Sequence, residues 1–389
     1  MNLLRRIRNR FMEPTTSTSD PGLVVARMDA AGTITLAPAA AARVRFVAGV
    51  HGPDTALVGD QEVRPYVAGS LQRFLQALGV MSDGEAAPAR GAIAHVKIRD
   101  ESGAWRRGRA PEIAPSVKAF LKDAKALGYR TVVAWIPHGA WVPAALGPAL
   151  PAEQDRLRDA AKAIARSLGD LVDGWIFGNE PEALLGVAAS TRDWAGYWTA
   201  EAIAGAAWRA ERKAWIAGAD MSAAHLVDTL PARVAAWEAV LGKGALPDAL
   251  AAHLYGEGGD QPEHLEVLLR ALAWKLGGRI LQLIVTEWAI GFEGVGVERG
   301  SKEYLRDERA RDYTAAMAAR MAHFEILGCY FTLREILEFL DHASAIPPAV
   351  LHGLQSALGG YALTEAPILN PQKAMAKGMR LEREAREVA

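Results

Sequence analysis

The chain has 389 residues, of which 50% are hydrophobic and 23% are charged, and its 44 basic and 45 acidic residues leave a net charge of -1. This composition is typical of a folded globular protein and excludes a disordered or fibrous chain. No overall positive field is available to hold a nucleic acid, so we expect no nucleic-acid partner. The single cysteine, Cys329, excludes an intramolecular disulfide and a zinc site built from several cysteines.

No apolar stretch reaches the roughly 18–20 residues that a membrane-spanning helix needs, so we expect no membrane span. The N-terminal sequence MNLLRRIRNRF is basic, like the start of a signal peptide, but the apolar run of about 7–15 residues that should follow is missing. We therefore expect no signal peptide and a protein that is cytoplasmic, or released with a particle or by lysis.

Residues 1–43 differ from the rest of the chain and are predicted to form an N-terminal arm. Leu3, Ile7 and Phe11 recur every four residues on one helical stripe, which arginines flank. After a linker, two short β-type runs on either side of Asp29 to Gly32 predict a β-hairpin. We expect the hairpin to dock on the protein's own barrel and the basic helix to dock on a partner in a protein assembly.

From residue 44 onward, short apolar or β-branched runs alternate with amphipathic helical stretches. The predicted strands lie at 44–50, 92–98, 131–136, 174–178, 214–219, 249–255, 281–287 and 329–333. The predicted helices begin near Ser70 and Ser116, span Pro151 to Leu168, and then lie at about 193–212, 223–241, 262–276, 303–327 and 348–358.

Eight strand-helix units in series predict a closed (β/α)8 TIM barrel over residues 44–365. The alternative is an open, doubly wound sheet, which would have a glycine-rich phosphate-binding turn after its first strand. The sequence VAGVHGPD at that position lacks this spacing, which favours the barrel. Residues 366–389 are expected to form a charged, helical C-terminal tail.

Active sites of such barrels lie at the carboxyl ends of the strands, and two carboxylates stand out there. Glu180 follows the fourth predicted strand, and Glu287 ends the seventh. The fourth and seventh strands lie across the barrel mouth from each other. Glycoside cleavage needs such a pair, one group to protonate the leaving oxygen and one to attack the sugar or activate water.

Around these carboxylates the sequence resembles the clan A glycoside hydrolases, which are retaining enzymes built on this barrel. The resemblance depends on Asn179-Glu180-Pro181 at strand four, Thr286-Glu287-Trp288 at strand seven, Arg99 after strand two, and His253 and Tyr255 on strand six. It covers roughly residues 44–365.

The resemblance implies a glycosidase that cleaves an oligo- or polysaccharide by double displacement, without a metal or other cofactor. Glu180 would be the acid/base and would need a raised pKa, and Glu287 would be the nucleophile. Arg99 would steady Glu287, with His253 and Tyr255 beside it. Asn179 would bind the sugar 2-hydroxyl.

Aromatic side chains near the strand ends are candidate platforms for sugar rings. Trp135, Trp141 and Trp288 lie at or just past strand ends, and His138 is a further residue expected to line the pocket. Trp105, in the loop after strand two, is a candidate for an outer subsite. Clan members often carry a Trp at the end of strand eight, where this chain reads Cys329-Tyr330-Phe331, so we expect either that Tyr330 or Phe331 substitutes for it or that the subsite is altered.

Three other functions use the same fold. Metal-assisted chemistry of the enolase type needs carboxylates ending three consecutive strands, but strand three offers His138. A phosphate-binding synthase or aldolase would use the loops after strands seven and eight, and the glycine-rich loop there carries two glutamates that repel phosphate. The main alternative is a weakly active or inactive glycan-binding barrel that serves as a structural part of a larger assembly, such as a phage-like particle.

Overall fold

The computed structural model describes seventeen segments of the chain. They are residues 27–28, 34–35, 40–52, 56–58, 61–63, 65–81, 87–100, 103–107, 109–137, 151–182, 191–212, 214–255, 264–276, 282–289, 308–324, 326–330 and 349–359. The predicted basic helix and the predicted C-terminal tail lie outside these segments.

The strands of the described segments are numbered in chain order. They are β1 (Arg27–Met28), β2 (Ile34–Thr35), β3 (Val50–His51), β4 (Ala56–Val58), β5 (Gln61–Val63), β6 (Ile93–Asp100), β7 (Arg130–Pro137), β8 (Gly174–Phe177), β9 (Trp215–Ser222), β10 (Ala249–Tyr255), β11 (Gln282–Ala289) and β12 (Leu327–Tyr330).

The α-helices of these segments are numbered in the same way. They are α1 (Ala40–Val47), α2 (Ser70–Leu78), α3 (Pro115–Ala126), α4 (Pro151–Leu168), α5 (Thr191–Glu211), α6 (Ala223–Leu241), α7 (His264–Lys275), α8 (Glu308–His323) and α9 (Ala349–Gly359). Two short 3-10 helices cover Ala104–Arg107 and Gly169–Leu171.

Eight parallel strands close into a barrel in the order β10-β11-β12-β3-β6-β7-β8-β9. The predicted (β/α)8 TIM barrel is therefore confirmed. Closure brings backbones together at β3 and β12, where the Tyr330 N–H donates to the Gly49 carbonyl over 3.0 Å. A Cβ at Gly49 would lie only 1.7 Å from the Gly328 carbonyl oxygen, so this contact requires glycine.

The helices begin and end where local sequence signals place them. α2 buries Leu71, Phe74 and Leu78, at helical spacing, and ends at Gly79, whose φ of 77° is left-handed. α4 begins at Pro151, a residue favoured in a first helical turn. The bounds of α4 and α6 match the predicted helices.

The first barrel strand is shorter than predicted. Residues 44–50 were expected to be extended, but α1 continues to Val47 and β3 begins only at Val50. Alanines at the start of α1 favour a helix, and Val44 and Val47, three residues apart, are both buried. α1 packs against α8 and α9, which explains why the β-branched residues did not form a strand.

Two antiparallel hairpins accompany the barrel. β1 pairs with β2, with Met28 opposite Ile34, as predicted for the N-terminal arm. β4 pairs with β5 in the connection after the first barrel strand, and this hairpin was not predicted. None of the helices within the described segments is long and apolar enough to cross a membrane.

Inward-facing side chains form two layers inside the barrel. The apolar layer consists of Ile93, Val132, Ala134, Ile176, Ala217, Ala249, Ala251, Ile284, Leu327 and Cys329, all buried. Closer to the carboxyl ends of the strands lies the polar layer, which consists of His51, His95, Lys97, Asp220, His253, Thr286 and Glu287, also buried. A larger apolar core fills the space between the barrel and the helices.

Candidate active site

Glu180 lies just after β8 in an unusual backbone conformation. Its φ is 44°, a left-handed value that costs a non-glycine residue about 1–3 kcal/mol. Asn179 forms a parallel bridge with Asp220, and the Glu180 N–H donates to the Asp220 carbonyl over 2.6 Å. These backbone contacts with β9 hold Glu180 at the barrel mouth.

The glycine before this bend is required by its surroundings. Gly178 has a φ of 81°, and a Cβ added there would lie 1.6 Å from the Tyr197 hydroxyl oxygen. Tyr197 comes from α5, is buried, and donates to the Phe177 carbonyl over 3.3 Å. The close approach of α5 therefore helps to shape the bend that presents Asn179 and Glu180.

Glu287 is buried on β11 and surrounded by donors and cations. Its Oε1 forms an ion pair with the Lys97 ammonium, and its Oε2 accepts a hydrogen bond from the Tyr255 hydroxyl. The Nε2 atoms of His51 and His253 lie 3.6 Å and 3.7 Å from Oε1. Burial favours a neutral carboxyl, but His253, Lys97 and His51 together lower the pKa of Glu287 well below its usual range.

A register shift lets two consecutive residues of β11 point into the barrel. Val285 pairs with Gly328, but Trp288 pairs with Tyr330, so the alternation of the strand is interrupted between them. Thr286 donates to Asp220, and Glu287 contacts Lys97, both inside the barrel. Simple alternation would have directed one of these two side chains toward the helices.

His253 connects the two glutamates. Its Nδ1 lies 2.9 Å from Glu180 Oε1, while its Nε2 faces Glu287 from the other side of the ring. One carboxylate oxygen of Glu180 and one of Glu287 lie within 4.8 Å of each other. The side chain of Glu180 is 43% exposed and that of Glu287 only 3%, so only Glu180 is open to the mouth.

The charge of His253 changes the properties expected for Glu180. Burial opposes the charged ring, but Glu287, Asp220 and Glu180 outweigh it and raise the pKa of His253 to about 10. The hydrogen bond from His253 lowers the pKa of Glu180, and partial burial only offsets part of this effect. The expectation that the pKa of Glu180 is raised is therefore wrong for the free protein.

Lys97 is a site residue that the sequence analysis missed. The resemblance to the clan A enzymes implied that Arg99 steadies Glu287. The ion pair that the structure shows with Glu287 comes from Lys97, which alternates with His95 on β6 and points inward. Arg99 lies two residues further along β6 and is half-buried. Strand alternation from His95 is the signal that would have found Lys97.

Two of the predicted sugar platforms are buried in the core. Trp135 is 0% exposed and packs edge-on against Phe177 and Trp208, between the barrel and α5. Trp288 is 1% exposed and packs against Tyr330 at 5.2 Å between ring centroids. Both rings occupy the helix-facing core, because they alternate with inward-facing neighbours, so neither serves as a platform.

The remaining aromatic candidates have mixed outcomes. Trp105 is also buried, in the 3-10 helix after β6, where the backbone N–H groups of Ala104 and Trp105 donate to the Asp100 carboxylate. Tyr330 is fully buried and does not replace the strand-eight Trp. His138, Trp141 and Phe331 lie outside the described residues. Cys329, next to Tyr330 in the last strand, is buried as well.

Distances alone would allow a metal ion at the glutamate pair. Among the described residues, Glu180, His253 and Glu287 form a group whose ligand atoms lie within 4.8 Å of one another. However, the Lys97 ammonium already contacts Glu287, and the charged His253 ring donates to Glu180. A divalent ion would have to compete with both cations, so the arrangement suits acid-base and nucleophilic chemistry better.

Comparisons with known proteins identify the fold. No protein-family model and no curated protein match the chain. A solved structure that does match is PbGH5A, a glycoside hydrolase family 5 enzyme from Prevotella bryantii B14, with 14% identity, a TM-score of 0.54, and coverage of 82% of this chain and 98% of that chain. The chain has the (β/α)8 fold of the clan A glycoside hydrolases.

Two further structures support this assignment of the fold. The GH5-4 broad specificity endoglucanase from Clostridium longisporum is 10% identical, with a TM-score of 0.51 over 82% of this chain and 99% of that chain. A glucosidase from Croceicoccus marinus is 13% identical, with a TM-score of 0.53 over 81% of this chain. The match spans 66% of that glucosidase and 65% of a family 39 enzyme from Bacteroides cellulosilyticus WH2.

Proposed function

We propose that this chain is a retaining glycoside hydrolase that acts on an oligo- or polysaccharide, with Glu287 as nucleophile and Glu180 as acid/base. The observation that carries the proposal is the pair of carboxylates facing each other with oxygens within 4.8 Å. Retaining enzymes place these groups about 5–5.5 Å apart, whereas inverting enzymes need about 6.5–9.5 Å to admit a water molecule. The solved structures of the same fold are glycosidases and endoglucanases, which agrees with this chemistry.

The environment of Glu287 suits a nucleophile. A nucleophilic carboxylate must stay ionised and fixed in direction, and the ion pair with Lys97 and the hydrogen bond from Tyr255 provide both. In the first step an oxygen of Glu287 bonds to the anomeric carbon as the glycosidic C–O bond breaks. The cations around Glu287 also make it a better leaving group when water releases the sugar.

The environment of Glu180 suits proton transfer. Its side chain is partly exposed at the mouth, where the glycosidic oxygen must lie. Its backbone, with a φ of 44°, is held by the hydrogen bond from the Glu180 N–H to the Asp220 backbone carbonyl. Glu180 would give a proton to the leaving oxygen in the first step and take one from water in the second.

Asn179 completes the proposed sugar contacts. Its Oδ1 is buried and accepts no hydrogen bond from the residues that the structure describes. A buried carbonyl oxygen without a donor is unfavourable, so a ligand hydroxyl that donates to it would stabilise the complex. We assign this contact to the sugar 2-hydroxyl.

The proposal is tested with a panel of nitrophenyl glycosides of several sugars and both anomeric configurations. We expect turnover of at least one of them, and an NMR time course should show that the first product keeps the configuration of the substrate. Glu287→Gln should lose this activity, and Glu182→Gln is the matched control that should retain it. Glu182 lies two residues from Glu180, but its carboxylate accepts a hydrogen bond from the Ser222 N–H over 2.8 Å.

Three outcomes would count against the proposal. A first product with the opposite anomeric configuration to the substrate would indicate an inverting mechanism instead of a retaining one. A folded protein that hydrolyses none of the glycosides but binds glycans would favour the structural, glycan-binding barrel instead. Equal loss of activity in Glu287→Gln and Glu182→Gln would show that Glu287 has no special role.

A further inference from the structure

Asp220 is a fully buried carboxylate beneath the glutamate pair, and the proposed mechanism gives it no role. Its Oδ1 accepts a hydrogen bond from the Thr286 hydroxyl and lies 3.8 Å from His253 Nε2. Its Oδ2 lies 3.5 Å from His95 Nε2. Burial lowers the pKa of His95 to about 3, so His95 is neutral and offers Asp220 no counter-charge. Of the groups paired with Asp220 in the described segments, His253 is therefore the cation.

The position of Asp220 depends on an irregularity in the barrel. The pairing of β9 with β10 shifts register, from Leu250 opposite Gly218 to Ala252 opposite Met221. This shift turns the Asp220 side chain inward, while its backbone carbonyl still accepts the Glu180 N–H. One residue thus holds the backbone of Glu180 and places a negative charge beside His253.

The charges around the His253 ring favour a cation. Nδ1 lies within hydrogen-bond distance of Glu180, at 2.9 Å, whereas Nε2 forms no hydrogen bond to a described residue but lies 3.8 Å from an oxygen of Asp220 and 3.7 Å from one of Glu287, close enough for a charge interaction. A neutral imidazole donates from one nitrogen only, so it would leave an unpaired nitrogen against a carboxylate. Further groups among the described residues are the Tyr255 side chain beside the ring and, through Glu287, the Lys97 ammonium and the His51 ring.

This arrangement poses a problem for the proposed acid. Glu180 must carry a proton when the glycosidic bond breaks, yet in the free protein it is the ionised partner of His253. The proton nearest to Glu180 Oε1 is the one on His253 Nδ1, across 2.9 Å. Glu180 and His253 together therefore hold the proton that the reaction needs.

We propose that Asp220 is a positioning residue that keeps this proton on the Glu180–His253 pair, an inference that rests on the proposed glycosidase function. We do not assign Asp220 a contact with the sugar, because it faces the Nε2 side of the His253 ring, whereas Glu180 at the mouth faces Nδ1. Its carboxylate acts through the imidazole, by stabilising the charged ring and by fixing which nitrogen faces Glu180.

The proton balance closes over one turnover. As the sugar binds, the Nδ1–H bond of His253 breaks and an O–H bond forms on Glu180. Glu180 passes this proton to the glycosidic oxygen as the glycosidic C–O bond breaks and Glu287 bonds to the anomeric carbon. Water then attacks that carbon, the bond between the carbon and Glu287 breaks, Glu180 accepts a proton from the water, and this proton returns to His253 Nδ1.

The test compares Asp220→Asn with the wild-type protein in two titrations. The first follows the His253 ring by NMR in the free protein, with the signal assigned from a His253→Gln variant. The second follows kcat/KM against pH on a glycoside that the enzyme hydrolyses. We expect the pKa of His253 and the alkaline limb of the pH profile to fall together by about 1–3 units, the usual effect of removing one nearby opposite charge.

Controls separate charge from packing. Asp220→Glu retains the charge and should retain most of the elevated pKa, whereas Cys329→Ser changes a buried neighbour without adding charge and should leave both titrations unchanged. Asp220→Ser is the second neutral variant if Asp220→Asn does not fold. A folded neutral variant with an unchanged pKa of His253 would overturn the role of Asp220. Since the NMR titration needs no substrate, an inactive wild-type protein would overturn only the proposed function.

Discussion

The apolar and polar layers of the barrel interior are built by the same strands and differ sharply in chemistry. On β6, Ile93 belongs to the apolar layer, while His95 and Lys97 belong to the polar layer. On β11, Ile284 precedes Thr286 and Glu287 in the same way. Side chains in both layers are almost completely buried, so a difference in exposure to solvent does not explain why one layer is apolar and the other charged. Folding explains the apolar layer, whereas only a function explains charges that burial makes costly.

The largest expected effects come from the two glutamates. Glu287→Gln should reduce kcat by about 10⁴-fold or more on every glycoside, because the variant lacks the carboxylate to which we assign the glycosyl-enzyme bond. Glu180→Gln should cost about 10²–10⁴-fold on substrates with poor leaving groups. On a dinitrophenyl glycoside, which needs little protonation, Glu180→Gln should retain the first step. Equal losses for both variants on that substrate would contradict the assigned roles.

The next effect concerns the ion pair that joins β6 to β11. Lys97→Met should lower the free energy of unfolding by about 3–5 kcal/mol, because it leaves a buried carboxylate without its closest cation. Lys97→Arg retains the charge and should lose less stability. Chemical denaturation measures both variants. A fully stable Lys97→Met protein would show that Lys97 is dispensable to the polar layer.

The polar layer should also make stability depend on pH. The pKa of His253 is about 10 in the folded protein, compared with an ordinary value of 6.5, so its stabilising effect is complete below about pH 6.5 and is lost as the pH approaches about 10. Between these two pH values the folded state holds one proton on His253 that the unfolded state has lost. The free energy of unfolding should therefore fall by about 1.4 kcal/mol per pH unit. Denaturant titrations across this range should show this slope, and a His253→Gln variant should lack it.

The smallest effect is expected in the apolar layer. Ile284→Val removes one methylene from the buried interior and should lower the free energy of unfolding by about 0.5–1.5 kcal/mol. The kcat/KM values and their pH profile should not change, since Ile284 belongs to the apolar layer and carries no titratable group. A shifted pH profile in this variant would show that the two layers are coupled through packing.

Sequence reasoning predicts the barrel well because its signal repeats. The apolar run at 249–255 has the bounds of β10, and the run at 131–136 lies within β7. The first strand was wrong because tertiary contacts with α8 and α9 favour a helix over Val44 and Val47. Periodicity cannot report such contacts.

The site could be predicted only in part. Motifs locate Glu180 and Glu287 near the mouth, but register shifts that no local pattern reveals affect the side chains on β9 and β11, among them Asp220 and Glu287. Trp135 and Trp288 were assigned to the mouth, although both lie in the helix-facing core. Lys97 and Trp135 lie on strands with regular pairing, so strict alternation along β6 and β7 would have placed both correctly. The low pKa of Glu180 depends on the three carboxylates around His253, which meet only in the folded barrel.

Trapping the glycosyl-enzyme tests the central claim most directly. The wild-type protein is incubated with activated 2-deoxy-2-fluoro glycosides of the sugars that it hydrolyses, and its peptides are then analysed by mass spectrometry. The account predicts loss of activity together with one fluoroglycosyl unit on the peptide that contains Glu287. A label on any other residue, or continued hydrolysis of the sugars without a label, would contradict it.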